Sequence, residues 1–328
     1  MNVFISFLRL IRFPNLVIIF LTQYAIRYGI IYPFLEQAGL DLFLDEQLFG
    51  LLALATVLIA AAGYIINDYF DVKLDSVNKP NQLIIGQQIG RRQSMLLHIL
   101  LNAIGLSIAL YIAIIIGHPL LVFIQLVAAV LLWYYSVNFK KKILIGNIII
   151  GALTALVPFT AGYYEVVAMF DELTLVENST LRTTKGFGSL LFSIKYLLYW
   201  VFGYSAFAFL LSMIREIIKD CEDIEGDQAF DCKTLPIVYG INYAKKVAFF
   251  ICIITMVLVA VVEYIQIISK DWLSFAYFCT FITLPLIWTS YRIWNAKSKR
   301  HFFIISQTIK LIMLSGILYI LVIYSYGQ

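Results

Sequence analysis

Charge is what this chain has least of. Asp, Glu, Lys and Arg make up 13% of its 328 residues, about half the share of a typical soluble domain. Cysteine is almost as scarce, and Cys221, Cys232, Cys252 and Cys279 form neither a CxxC pair nor any metal-ligand spacing. That excludes a thiolate metal centre and leaves small apolar thiols. Short alternating strands are missing, which removes a membrane β-barrel. No Pro/Ser-rich linker or low-complexity tract divides the chain, so residues 1–328 read as a single domain. The surplus of Lys and Arg is small and dispersed in loops, and it carries no nucleic-acid footprint.

Apolar residues fill the space. Hydrophobic types account for 62% of the chain and the mean hydropathy is +0.88, the composition of an all-α integral membrane protein surrounded by membrane lipids. Nine apolar runs are long enough to span a bilayer as helices, at about 13–34, 48–66, 94–116, 119–138, 143–164, 190–213, 246–267, 272–292 and 302–325. Arg9 and Arg12 before the first run imitate a signal peptide, but no small-residue cleavage site follows, so this run reads as a retained span.

The charges that remain are sorted by side. Most of the 24 Lys and Arg fall in loops on the side of the N-terminus, including Arg91, Arg92, Lys140, Lys141 and Lys142. This predicts a cytoplasmic N-terminus and an outside C-terminus in a cell (inner) membrane. Half of the 20 acids fall on the outer side. Every cytoplasmic carboxylate belongs to one of two clusters, Asn67-Asp68-Tyr-Phe-Asp71-Val-Lys-Leu-Asp75 and Arg215-Glu216-Ile-Ile-Lys219-Asp220-Cys-Glu222-Asp223-Ile-Glu225-Gly226-Asp227, with Asp231 just beyond. Four spans lie between the clusters. Being an even number, they put both clusters on the same side, where they can meet across a shared cavity.

If the second span continues as a helix, Asn67, Asp71 and Asp75 stack at i, i+4 and i+8 on one face. Asp223 and Asp227 are also one turn apart, with Asp220 one turn earlier. Stacked carboxylates repel until a hard cation joins them. Mg²⁺ suits such a site, because it takes one or two carboxylates and completes its shell with water and substrate phosphate. Two facing patches would clamp a diphosphate leaving group, with Arg12, Lys73, Lys79, Lys140 and Arg215 available to its oxygens.

The run Asn67-Asp68-x-x-Asp71-x-x-x-Asp75, followed by Asn78-Lys79-Pro80, resembles the first aspartate-rich motif of the UbiA superfamily of intramembrane prenyltransferases. Lys219-Asp220-x-x-Asp223-x-x-Gly226-Asp227, leading to Thr234-Leu235-Pro236-Ile237, resembles their second. Arg12-Phe13-Pro14-Asn15 and Tyr135-Ser136…Lys140…Gly146-Asn147 are similar to further family features. The resemblance implies nine transmembrane helices in a bundle around a central cavity, capped by the two Asp-rich cytoplasmic loops. It also implies Mg²⁺-dependent prenyl transfer from a prenyl diphosphate to a lipophilic acceptor. By the same resemblance Asn67, Asp71, Asp75, Asp223 and Asp227 would hold two Mg²⁺ ions, with Asp68 and Asp220 in support and Tyr135 among the diphosphate contacts.

The pattern departs from the family's at Lys219, where many members carry an acid, and at Gln82, where an arginine is common. Aromatic faces that could stabilise an allylic cation include Tyr64, Tyr69, Tyr135 and Trp133. The second motif most resembles that of enzymes adding a second geranylgeranyl group to geranylgeranylglyceryl phosphate; aromatic quinone-precursor and tetrapyrrole acceptors are served by related loops. A phosphorylated acceptor calls for extra cations, and Arg91, Arg92, Lys140 and Lys142 could supply them. A cation-coupled transporter would carry acids deep within its spans, whereas here they gather at predicted helix ends. A CDP-alcohol transferase would show Asp-Gly-x-x-Ala-Arg, which is missing.

Overall fold

The structure, a computed structural model, describes the chain at residues 3–37, 40–78, 83–177 and 186–326. Side chains at 3, 37, 75, 77–78, 171–177, 186–193, 321 and 323–326 lie outside that description. Lys79 and Gln82 fall outside it altogether, as does the side chain of Asp75. Among the described residues the fold is helical, and nine segments are long and apolar enough to cross a membrane.

A short helix α1 (Val3–Leu10) precedes α2 (Phe13–Ile26), and the joint is Arg12 in the left-handed region at φ 51°. Pro14 enters the first turn of α2, where its missing N–H costs no hydrogen bond. A π-helical turn (Arg27–Ile31) leads into α3 (Tyr32–Gln37), and together α2, the turn and α3 make the first span. Then come α4 (Glu46–Asn78), α5 (Arg91–Ile115), α6 (Val122–Val137), α7 (Ile145–Glu177) and α8 (Gly186–Glu222). Two short helices, α9 (Ile224–Ala229) and α10 (Leu235–Tyr239), precede α11 (Ile241–Ile268). The last two spans are α12 (Trp272–Phe278) joined through a second π turn to α13 (Leu284–Asn295), and α14 (Lys299–Tyr326).

The principal packing pairs are α7 with α8 and α4 with α5, and α8 also meets α11 and α14. Small residues allow the close approaches. A Cβ on Gly105 would lie 3.2 Å from the Ala55 carbonyl of the facing helix. A Cβ on Gly146 would lie 3.0 Å from the Lys140 Cα and 3.1 Å from the Phe139 carbonyl, so this glycine lets the 139–141 turn settle onto the start of α7.

Two spans run further than their apolar stretches. The second continues as regular helix to Asn78, which meets the condition for stacking Asn67 and Asp71 on one face, and the sixth reaches Glu222. The helix breaks at Asp223, whose φ of −97° and ψ of 10° leave the helical range, and restarts as α9. Asp220 therefore belongs to α8, and Asp227 to the short helix α9 that follows the break.

The largest fully buried side chain is Arg27, a cation inside the bundle. Its guanidinium donates to the Leu44 carbonyl at 2.6 Å and to Glu165 Oε2 at 3.3 Å, and lies 4.4 Å from the Phe49 ring centroid. Glu165, also buried, accepts the Phe43 and Leu44 N–H groups at 2.5 and 3.1 Å. This cluster ties the segment before α4 to α2 and α7, at the opposite end of the bundle from the aspartates.

Candidate active site

One cavity of about 530 Å³ opens among α2, α4, α6, α7, α8 and α14. On α4 its wall runs from Thr56 to Leu74, roughly 27 Å at the helical rise. Its inner part is apolar, with Ile59, Ile124, Leu132, Leu153, Val157 and Met313 in the wall. Its mouth is crowded with charge.

The two acidic segments meet at that mouth. Asn67, Asp71, Asp220, Asp223 and Asp227 all line the cavity, together with Lys73, Lys140 and Arg215. Lys140 donates to Asp71 Oδ1, and both side chains are mostly buried. The backbone behind Lys140 is anchored in turn, since Lys233 N–H donates to the Lys141 carbonyl at 2.9 Å. Asp220 accepts from Asn147 Nδ2 at 2.8 Å. Tyr135 lines the same space, in electrostatic reach of Glu216, Asp220, Asp71 and Arg12. Burial, reinforced by the charges of Asp223 and Asp71, pushes the Asp227 carboxyl up to about 6. A cation arriving between these acids would offset that repulsion. Burial likewise lifts the Cys232 thiol to about 11, which makes it a poor nucleophile.

Arg12 reaches the mouth from the left-handed joint before α2. Its guanidinium pairs with Asp68 at 3.0 Å and lies 4.8 Å from the Tyr64 ring centroid. Asp68 is not in the cavity wall. It faces sideways from the Asn67/Asp71 stripe and holds Arg12 instead. Arg215 donates to Glu216 at 2.6 Å, with the Lys219 ammonium 3.9 Å from the same carboxylate.

Sequence reasoning assigned several residues that the structure places elsewhere. Arg91 lies 4.8 Å from the Tyr69 ring centroid and Lys142 5.2 Å from that of Phe139, and neither lines the cavity, nor does Arg92. Arg91 and Arg92 open α5 and Lys142 follows the 139–141 turn, and all three are exposed at the surface rather than set in the mouth. Trp133 packs on Phe70 and His98, with centroids 5.9 and 5.4 Å away. Neither Trp133 nor Tyr69 is in the wall, whereas Tyr64 and Tyr135 are. Asn15 and Asn147 were read only as parts of family-like segments, and Lys310 was given no place in the site. The signal for Lys310 was legible: a lone ammonium in an apolar run faces a functional interior by default.

A model of the UbiA prenyltransferase family matches residues 34–312, a range that takes in both acidic segments. The chain belongs to the UbiA prenyltransferase family. It is thus a multi-pass membrane prenyltransferase. Among this UbiA protein's relatives is the digeranylgeranylglyceryl phosphate synthase of Saccharolobus solfataricus, 30% identical over 253 residues that cover 77% of this chain and 75% of that protein. The synthase of the same name from Methanosphaera stadtmanae is 27% identical over 262 residues, 80% of this chain and 82% of that one. A solved structure of a digeranylgeranylglyceryl phosphate synthase in membranes superposes with a TM-score of 0.59 at 24% identity, over 98% of both chains. A UbiA homolog from Archaeoglobus fulgidus, bound to DMAPP and Mg²⁺, gives 0.56 at 21% identity over 94% of this chain and 98% of that chain. These likenesses establish the shared fold.

Proposed function

We propose that this UbiA protein, acting as one domain over its whole length, transfers a geranylgeranyl group from its diphosphate to geranylgeranylglyceryl phosphate, releasing diphosphate. The observation that carries the reading is the meeting of Asn67 and Asp71 with Asp223 and Asp227 at the mouth of one apolar cavity. The acceptor assignment is supported by the synthases to which the chain is similar.

Mg²⁺ suits the donors at this mouth. Among the described residues no three Asp, Glu, His or Cys side chains form a ready-made cage. Asp71, Asp223 and Asp227 at one mouth suit an ion which needs only a carboxylate or two and leaves its other positions to water and substrate phosphate. Asn67, Asp71, Asp223 and Asp227 would hold two such ions with Asp75, and Asp68 and Asp220 would keep the set in place. When bound, the metal supplies charge stabilisation to the departing diphosphate.

The chain's own groups do the rest. Lys140 would leave Asp71 for a diphosphate oxygen, joined there by Arg12, Lys73 and Lys79. The bond between the allylic carbon and the diphosphate oxygen breaks, the acceptor hydroxyl oxygen bonds to that carbon, and the hydroxyl proton passes to the released diphosphate. Tyr64 and Tyr135, both in the cavity wall, would stabilise the developing cation through their rings. The apolar wall excludes water, which would otherwise capture it.

The test is an acceptor screen with purified protein in nanodiscs and labelled geranylgeranyl diphosphate. Mg²⁺-dependent formation of digeranylgeranylglyceryl phosphate supports the assignment. Transfer to an aromatic acid or a tetrapyrrole instead would replace the acceptor while keeping the reaction.

We further propose that both acidic segments face the cytoplasm in a cell (inner) membrane. Cys221, Cys232 and Cys252 are buried, so native thiols will not report sidedness. Cysteines introduced at the exposed Gln87 and Lys270 should be labelled by an impermeant maleimide from opposite sides, Gln87 only after the membrane is opened. The reverse pattern would invert the orientation.

A further inference from the structure

Lys310 lies in the middle of the last span, and its ammonium donates to Asn15 Oδ1 at 3.0 Å inside the cavity. Among the described residues no carboxylate comes within ion-pairing distance of it. Its charged neighbours are Arg215, Arg12 and Lys219, all cations. Two neighbouring carboxylates are already engaged, Asp68 beside the wall by Arg12 at 3.0 Å and Glu216 by Arg215 at 2.6 Å and Lys219 at 3.9 Å. Lys310 thus adds a further cation beside the pairs of Arg12 with Asp68 and of Arg215 and Lys219 with Glu216, in a cavity whose inner wall is apolar.

Such a surplus is unfavourable where water is scarce, because like charges repel more strongly in a low dielectric. A lysine that only snorkelled would carry its ammonium out to the headgroups, away from other cations. Here it is turned toward them, and a neutral amide orients it. An oxyanion is the ligand that relieves this arrangement. Arg215 and Lys219 stand two turns and one turn before the break at Asp223, so these cations lie deeper along α8 than Asp223 and Asp227. Two poles of opposite sign fit two different phosphate groups, one met through the carboxylates and one met directly.

We propose that Lys310, Asn15, Arg215 and Lys219 form a phosphomonoester subsite that receives the headgroup phosphate of the acceptor. It rests on the transfer reading above for the identity of that acceptor. Lys310 is the specificity-determining residue: it selects a phosphorylated acceptor over its alcohol and leaves the prenyl diphosphate to the aspartate pole.

Equilibrium binding to the full chain in nanodiscs tests this, without donor and with EDTA present, so that no turnover occurs. The probes are geranylgeranylglyceryl phosphate and geranylgeranylglycerol. Wild type should prefer the phosphorylated lipid by about 10- to 100-fold, the worth of a charge-assisted hydrogen bond. Lys310→Gln should abolish the preference, Asn15→Ala should weaken it, and Lys310→Arg and Asp227→Asn should retain it. Mg²⁺-dependent binding of geranylgeranyl diphosphate to Lys310→Gln should stay within about twofold of wild type. A wild type with no preference, or a Lys310→Gln variant that keeps it, overturns the subsite. An equal loss of donor binding also overturns it, since Lys310 would then be a diphosphate contact. If the preference behaves as stated but the phosphorylated lipid is never prenylated, the acceptor assignment fails and the subsite stands.

Discussion

Asp71→Asn and Asp227→Asn should each lower Mg²⁺-dependent diphosphate release by on the order of 10²–10³-fold, the scale for losing one preorganised charge-stabilising group. Both variants should insert and fold normally. Asn nearly matches Asp in shape, and the Lys140 partner of Asp71 keeps a carbonyl oxygen to bond. The two residues stand 156 positions apart in sequence (227 minus 71) yet line one cavity mouth. Loss of activity from either side is therefore the expected signature of a shared ligand. Steady-state release from purified wild type and both variants, with thermal unfolding as a control, checks it. Wild-type turnover in either variant would remove that residue from the site.

The second large effect is on stability and arises at the other end of the bundle. Arg27→Met should destabilise the protein by about 3–5 kcal/mol, because it strands the buried Glu165 carboxylate without its cation. Arg27→Met/Glu165→Gln should recover much of the loss. The glutamine oxygen can still accept from the Phe43 and Leu44 N–H groups that Glu165 now serves, and no buried charge remains. Denaturation in detergent of both single variants and the pair completes the cycle. Additive single effects would show that the pair is not coupled. Diphosphate release should be little changed below the melting range, since this cluster does not line the cavity.

The spans were legible because bilayer length and the scarcity of charge leave few ways to draw them. The aspartate stripes were legible for the same reason: carboxylates with a regular helical spacing stand out in an apolar chain. Which cation meets which acid was not. Lys140 on Asp71 depends on the turn that Gly146 allows to sit against α7, and Arg12 on Asp68 depends on a left-handed joint at Arg12. Lys310 meets Asn15 across 295 positions of sequence, a contact that no periodicity encodes. Arg91 and Lys142 looked equally available in sequence, yet they lie against the Tyr69 and Phe139 rings. Lys219 stood out only as a departure from the family pattern. In the fold it lines the same cavity as Arg12, Arg215 and Lys310.

The claim on which the account depends is that the two acidic segments hold one diphosphate between them. Binding of a non-transferable thiolodiphosphate analogue of geranylgeranyl diphosphate tests this most directly, with wild type, Asp71→Asn, Asp227→Asn and the double variant compared in Mg²⁺ and in EDTA. We predict Mg²⁺-dependent binding that each single substitution weakens by about tenfold or more, with the double variant losing less than the product of the two, as expected for residues acting on one ligand. Binding that survives in either single variant, or that ignores Mg²⁺, would contradict it.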